Sequence, residues 1–137
     1  QYLNMFDILI TMSSGSKEHV GKNALYYFDR LVSYGAFCSK ITVNKNALFY
    51  INIFMHSLNF KQYISNSCLG TNINNLTNDH ITSCKILIPK GSQLSSFEKL
   101  VSANYHKIGS NIRQNQILSS LRDWLLPMLM NGQVKVK

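Results

Sequence analysis

The side chains that most often carry catalysis are few in this chain and form no recognisable constellation. Its four histidines, at positions 19, 56, 80 and 106, show neither an HxxxH nor an HExxH spacing. Its six carboxylates are scattered along the sequence. A metal centre or a general acid–base pair needs such groups brought together. The sequence therefore predicts no catalytic residue, no metal and no cofactor.

One loop comes close to a phosphate-binding motif. Residues 13–23, SSGSKEHVGKN, follow a predicted strand and contain two glycines and two lysines. In a P-loop, four residues separate the glycines and a Ser or Thr follows the lysine to reach Mg²⁺. Here five residues separate Gly15 from Gly21, and Asn23 occupies the hydroxyl position. An enzyme domain with a phosphate-binding loop at residues 13–23 is thus only the alternative interpretation.

The same loop suits nucleic acid better, although its composition is equally that of a plain solvated loop. Lysines can meet DNA phosphates, while Ser and Asn side chains reach phosphates or base edges. A second stretch of short polar residues lies at 70–75, and one further lysine lies in a predicted strand at 36–43. The predicted DNA-binding residues are Ser13, Ser14, Ser16, Lys17, Lys22, Asn23, Lys40, Thr71, Asn72 and Asn74.

Charge and composition agree with this interpretation. The 137 residues include 14 Lys and Arg but 6 Asp and Glu, a net charge of +8, which favours a polyanionic partner. A hydrophobic fraction of 45% with 15% charged residues indicates a globular chain, long enough for one domain and an appended element. The three cysteines contain no CxxC pair, and no apolar stretch is long enough to span a bilayer. These features predict a reduced, cytoplasmic protein.

A long helix dominates the predicted architecture. Ser95 and Glu98 have the spacing of a capping box, so the helix is expected to begin near Ser96. Pro127 is expected to end it, with Gly132 as a stop just beyond. At 1.5 Å per residue, a helix over residues 96–126 is about 46 Å long.

Apolar residues recur along this helix every three or four positions and predict one continuous apolar face. A second long helix is its natural cover, and three asparagines at heptad-like offsets, Asn104, Asn111 and Asn115, would fix register in a coiled coil. A single amphipathic core helix is the alternative. The predicted interface residues are Phe97, Val101, Ile108, Ile112, Leu118, Leu121 and Leu125.

The preceding residues predict a small twisted sheet with short helices, so the fold class is α+β. Strands are expected at 6–12, 24–28, 36–43 and 85–88, where β-branched and aromatic residues are dense. A helix capped by Asn44 or Asn46 should continue to Leu58, followed by a shorter helix at 60–65 and a single turn near residue 79.

Five stretches together resemble the specificity subunit of type I restriction–modification systems. The more specific ones are GTNINNL at 70–76 and LLPMLMNG at 125–132. The others are DILI at 7–10, the Ser/Gly loop with Gly21 and Lys22, and KILIP at 85–89. Their order and spacing fit that family over nearly the whole chain.

This resemblance implies a non-catalytic subunit in a restriction system. Residues 1–92 would be a DNA target-recognition domain, missing its N-terminal part, that reads half of a split double-stranded site. Residues 93–137 would be a long helical spacer that packs against its counterpart and docks methyltransferase subunits, and through them the restriction subunit. A homodimer through the helix is expected for the isolated chain. The chain itself is expected to be a fragment or a truncated subunit.

Overall fold

The computed structural model describes residues 1–68 and 74–134, except for the side chain of Asn74. It confirms an α+β fold with small antiparallel sheets, short helices and one long C-terminal helix. The strands are β1 (Tyr2–Leu3), β2 (Ile8–Thr11), β3 (Ser13–Ser14), β4 (Asn23–Leu25), β5 (Val32–Ser33), β6 (Cys38–Ile41) and β7 (Asn74–Asn75). The helices are α1 (Leu48–Met55), α2 (Leu58–Ser67), α3 (Asn78–Thr82) and α4 (Gly91–Met130).

The central sheet has the order β4-β2-β6 and is antiparallel throughout. Strand β2 lies in the middle, and its Ile8 and Ile10 are completely buried. Because side chains alternate across a strand, the residues directly opposite these two also face the core. They include Leu25 and Asn23 on β4. Three predicted strands are therefore confirmed, each shorter than expected.

The strand predicted at 85–88 is wrong. These residues lie between α3 and α4 without strand pairing, and the side chains of Leu87 and Ile88 are 91% and 59% exposed. The segment is attached by the Tyr50 hydroxyl, which donates to the Leu87 carbonyl at 2.6 Å. Strand propensity takes effect only where neighbouring strands supply packing. In the described part of the chain, no strand pairs with this run.

The first two short helices pack over the core face of the central sheet and contribute Leu48, Phe49, Met55, Phe60 and Ile64 to one buried cluster. Helix α1 ends at Met55, earlier than predicted, and α2 begins at Leu58 after a two-residue turn. The Ser57 hydroxyl caps α2 by accepting from the Phe60 amide at 3.3 Å. Neither Asn44 nor Asn46 caps α1, because the Asn44 side chain instead accepts from the Asn46 amide.

Helix α4 is longer than predicted at both ends. It contains 40 residues and is about 60 Å long. The capping box is wrong: the Ser95 hydroxyl donates to the Ser92 carbonyl, and Glu98 has partners elsewhere in the domain. Pro127 lies inside the last turn of the helix.

Gly132 stops α4, as the sequence predicts. It has φ +70°, which favours glycine, and its amide donates to the Leu129 carbonyl at 3.2 Å. The Gln133 amide donates to the Met128 carbonyl at 2.9 Å. This pair of bonds is a Schellman motif, which satisfies carbonyls that the helix end leaves free.

The buried carboxylate of Glu98 links α4 to α1. Its two oxygens accept from the backbone amides of Phe49 at 3.2 Å and Tyr50 at 2.8 Å. These amides lie in the first turn of α1, where no preceding carbonyl is available to them. Glu98 therefore caps α1 from a distant helix, which explains why α1 needs no Asn cap.

The rest of the first half of α4 packs on the same domain. The Tyr105 ring stacks on Phe49 with centroids 4.5 Å apart, and its hydroxyl accepts from the side-chain amide of Asn52 at 3.0 Å. Gly109 lies so close to Tyr27 that a Cβ atom would approach the ring to 2.8 Å. Arg113 donates to the Tyr27 carbonyl at 2.9 Å. The interpretation as an amphipathic core helix thus holds for this half.

The predicted interface residues divide accordingly. Phe97 contacts Tyr50 edge to face, and Val101 packs against the buried cluster. Beyond them the face is largely open: Ile108, Leu118 and Leu121 are exposed, whereas Ile112 and Leu125 are half-buried. Ile117 and Trp124 are exposed in the same half. In the described residues, no helix is long and apolar enough to cross a membrane.

We expect Glu98→Gln to lower the free energy of unfolding by about 2 kcal/mol, because hydrogen bonds to a charged group each contribute about 1.5–3 kcal/mol. Urea denaturation measures the change. Glu18→Gln removes a carboxylate that is exposed, and it serves as the matched control. Equal stability of the two variants would show that Glu98 does not hold α4 to α1.

Candidate nucleic-acid interface

The structure brings the two predicted polar stretches together. Strand β3 pairs with β7, so that Ser13 lies opposite Asn75 and Ser14 opposite Asn74. The Leu76 amide extends this contact by donating to the Met12 carbonyl at 2.6 Å. Two segments about sixty residues apart in sequence therefore form one polar edge. Thr71 and Asn72 lie outside the described residues, as does the side chain of Asn74.

Between β3 and β4, the chain folds into a series of turns. The Ser14 hydroxyl accepts from the Ser16 amide at 3.2 Å, and the His19 amide donates to the Ser16 carbonyl at 3.0 Å. Val20 is buried and anchors the loop in the core. Ser16, Lys17 and Lys22 are exposed, whereas Ser13 and Ser14 are half-buried. The loop thus presents both lysines to solvent from a fixed base.

Asn23 has an internal role in this structure. It lies opposite Ile10 on the core face of the sheet. Its side-chain amide donates to the carbonyls of Gly21 at 3.0 Å and Met55 at 3.2 Å, and its Oδ1 atom is buried without a partner. These bonds tie the loop to the end of α1. A contact between Asn23 and DNA stays a prediction, but the geometry first makes this residue a positioning group.

Lys40 lies apart from the two polar stretches. It is opposite Leu9, on the face of the central sheet that does not contain Asn23. Its ammonium group forms an ion pair with Asp7 at 3.3 Å and donates to the Tyr2 carbonyl at 3.1 Å. The structure therefore separates Lys40 from the other predicted DNA-binding residues that it describes and gives it partners within the fold.

A groove of about 780 Å³ lies between the loop and α2. Lys17, Glu18 and Lys22 line it from the loop, and Lys61 lines it from α2. His56, in the turn between α1 and α2, is a further lining residue. Lys61 and His56 are not among the residues predicted from the sequence, because their relation to the loop depends on how α2 packs. The one available signal was a basic residue, Lys61, within the short helix predicted at 60–65.

At the bottom of this groove, the loop contacts α2 through Gly21. This residue has φ +78°, and a Cβ atom there would lie 2.7 Å from Cγ2 of Ile64 on α2. Only glycine fits both the backbone conformation and the close approach. The position of the loop against α2 is therefore set by packing.

The geometry counts against the alternative of a nucleotide loop. A P-loop delivers its phosphates to the N-terminus of a helix. Here residues 13–23 lead into β4, which is a strand. In the parts of the chain that the structure describes, no group of three His, Cys, Asp or Glu side chains could hold a metal ion.

Cys68 lines the groove beside the loop. Burial raises the pKa of the Cys68 thiol, and the nearby charge of Lys17 opposes this shift.

These features define a class: a small α+β domain with a basic groove and a polar edge, joined to a long helix whose second half is uncovered. Comparisons with known proteins are more specific. The chain is 33% identical over 142 residues to the type I restriction enzyme EcoKI specificity subunit of Escherichia coli (strain K12). It is 34% identical over 137 residues to the type I restriction enzyme StySPI specificity subunit of Salmonella potsdam.

These alignments cover 100% and 96% of the chain but 31% and 30% of the two relatives, so the chain spans about a third of their length. No protein-family profile and no solved structure matches. The chain is therefore homologous to the specificity subunits of type I restriction enzymes, and the resemblance seen in its sequence motifs is confirmed.

We expect Gly21→Ala to lower the free energy of unfolding by at least about 1 kcal/mol, because an L-residue in the left-handed region costs about 1–2 kcal/mol. The contact with Ile64 adds to this cost. Gly15→Ala is the matched control, since a Cβ atom there would meet nothing within 4 Å. Thermal denaturation compares the two. If Gly21→Ala is as stable as Gly15→Ala, the contact between Gly21 and Ile64 does not fix the position of the loop against α2.

Proposed function

We propose that this chain is a non-catalytic, DNA-reading part of a type I restriction–modification specificity subunit. Residues 1–92 would read one half of a split DNA target, and residues 93–137 would form the helical spacer. The observation that carries the proposal is the pairing of β3 with β7, which joins two polar segments beside a basic groove. Homology along nearly the whole chain to two specificity subunits supports it.

The chemistry of the joined edge suits DNA. Exposed lysines attract phosphates of any sequence, whereas short amide and hydroxyl side chains can form directional bonds with base edges. Lys17 and Lys22 lie on the loop that starts at β3, and the asparagines lie at and before β7. Attraction and recognition would thus come from neighbouring segments of one surface.

The long helix supports the second part of the proposal. Its first half is fixed to the domain, but beyond Arg113 its apolar side chains are largely exposed, among them Leu118, Leu121 and Trp124. Burying such side chains is favourable by about 25 cal/mol per Å². A second long helix, packed antiparallel, would cover this half and leave the outer face for methyltransferase subunits. The restriction subunit would join the complex through these.

Replacing both Lys17 and Lys22 by Ala should weaken binding to all duplexes alike. If each lysine meets one phosphate, the slope of log affinity against log salt concentration should flatten by roughly 0.9 per lost contact. Binding to matched and single-mismatch duplexes at several salt concentrations measures both effects. An unchanged salt slope would show that the loop does not meet the DNA backbone.

Substitution of a base-reading asparagine should act differently. Among Asn23→Ala, Asn72→Ala and Asn74→Ala, we expect at least one to relax preference at one base pair by about 1–3 kcal/mol. The internal bonds of Asn23 predict that its variant is also less stable, so unfolding is measured alongside binding. Unchanged discrimination in all three variants would place the reading surface elsewhere.

The isolated chain should be a dimer through α4, and Leu118→Asp should dissociate it, because a charge buried in an apolar seam is among the most costly substitutions. Ser120→Asp adds the same charge to an exposed position about 200° away on the helix and should leave the dimer intact. Light scattering measures the mass of each. A well-folded monomer for the unmutated chain would contradict this pairing.

A further inference from the structure

The groove between the loop and α2 contains a basic residue that the proposed function leaves unused. Lys61 lies in the first half of α2, and its side chain is exposed. It lines the same groove as Lys17 and Lys22, which lie on the opposite wall. Glu18 is the one carboxylate among the lining residues. Three ammonium groups against one carboxylate give the groove a net positive charge.

The two walls are fixed relative to each other before any ligand binds. Gly21 contacts Ile64 across the groove, and Asn23 donates to the Met55 carbonyl at the end of α1. Both contacts are packed into the core, since Ile64 and Met55 are buried. The spacing between the lysines of the loop and Lys61 is therefore built into the fold.

The floor of the groove is mainly apolar. Val20, Phe60, Ile64 and Cys68 are buried residues that line it. Such a floor offers few hydrogen bonds to the edge of a base, but it tolerates the carbon skeleton of a sugar. Lysine acts on phosphate as a flexible point charge and needs no fixed orientation. A basic rim over an apolar floor therefore fits a sugar–phosphate chain better than an exposed base.

We infer that this groove binds the backbone of one DNA strand, with Lys61 meeting a phosphate from the wall opposite Lys17 and Lys22. The inference rests on the proposed function, which it deepens by separating two tasks. The groove anchors the backbone independently of sequence, and the polar edge at β3 and β7 is left to read bases. Lys61 belongs to α2, outside both of the polar segments that the sequence singles out.

The test uses the whole chain and three variants. Lys61→Ala removes the charge, Lys61→Arg keeps it, and Lys107→Ala removes an exposed lysine of α4 as the matched control. Circular dichroism and thermal denaturation verify that each is folded. Affinity is measured by fluorescence anisotropy for matched and single-mismatch duplexes at several salt concentrations.

We expect Lys61→Ala to weaken both duplexes by the same factor and to flatten the salt slope by about 0.9, whereas Lys61→Arg and Lys107→Ala keep the slope of the unmutated chain. If Lys61→Ala behaves like Lys107→Ala while the unmutated chain still binds its target, the groove inference fails and the proposed function stands. If Lys61→Ala alters discrimination between bases, the groove reads sequence and the inference of a backbone anchor is wrong. If the unmutated chain binds neither duplex, the proposed function fails and takes this inference with it.

Discussion

The buried carboxylate of Glu98, near the start of the long helix, joins that helix to the rest of the domain. Glu98 satisfies two backbone amides of α1 that no carbonyl of that helix can reach. Around it, Tyr105 stacks on Phe49, and Arg113 bonds to the Tyr27 carbonyl. From Glu98 to Arg113, α4 is thereby fixed to the domain over about four turns.

The alternation of the central sheet decides which polar residues are available. Asn23 faces the core because it lies opposite Ile10, and its side-chain amide donates to the Met55 carbonyl, which holds the loop against α1. Lys40 lies on the other face, paired with Asp7. The exposed lysines of the loop lie beside a groove whose walls are set by Gly21 and Ile64. Attraction of DNA would thus depend on exposed charge, while the half-buried Asn23 side chain keeps the loop that carries this charge in place.

Local patterns in the sequence predict much of this fold. The α+β class, the long helix, its stop at Gly132 and the strand around Ile8 and Ile10 follow from periodicity and turn chemistry. The capping-box error comes from competition by distant partners. Ser95 and Glu98 have capping-box spacing, but Glu98 binds amides 48 and 49 residues away.

The strand predicted at 85–88 is wrong for a related reason. A strand-forming composition yields a strand only where a neighbouring strand is available to pair with it. Pro127 removes one backbone donor of α4 but does not end the helix, which continues to Met130 and is closed by the backbone bonds around Gly132. For the candidate site, the polar loops could be found by composition, but their pairing through β3 and β7 could not. Lys61 joins the groove only through the packing of α2.

We propose that one surface, made of residues 13–22, the groove wall of α2 and strand β7, meets DNA while the uncovered half of α4 does not. Amide chemical shifts of the isotopically labelled chain, recorded as a target duplex is added, test it most directly. A methylation map of the source genome supplies the target sequence. We expect little change beyond Arg113 and the largest shifts at Ser16, Lys17, Lys22, Lys61 and Asn75. Shifts concentrated on the second half of α4, or on the sheet face that carries Lys40, would contradict it.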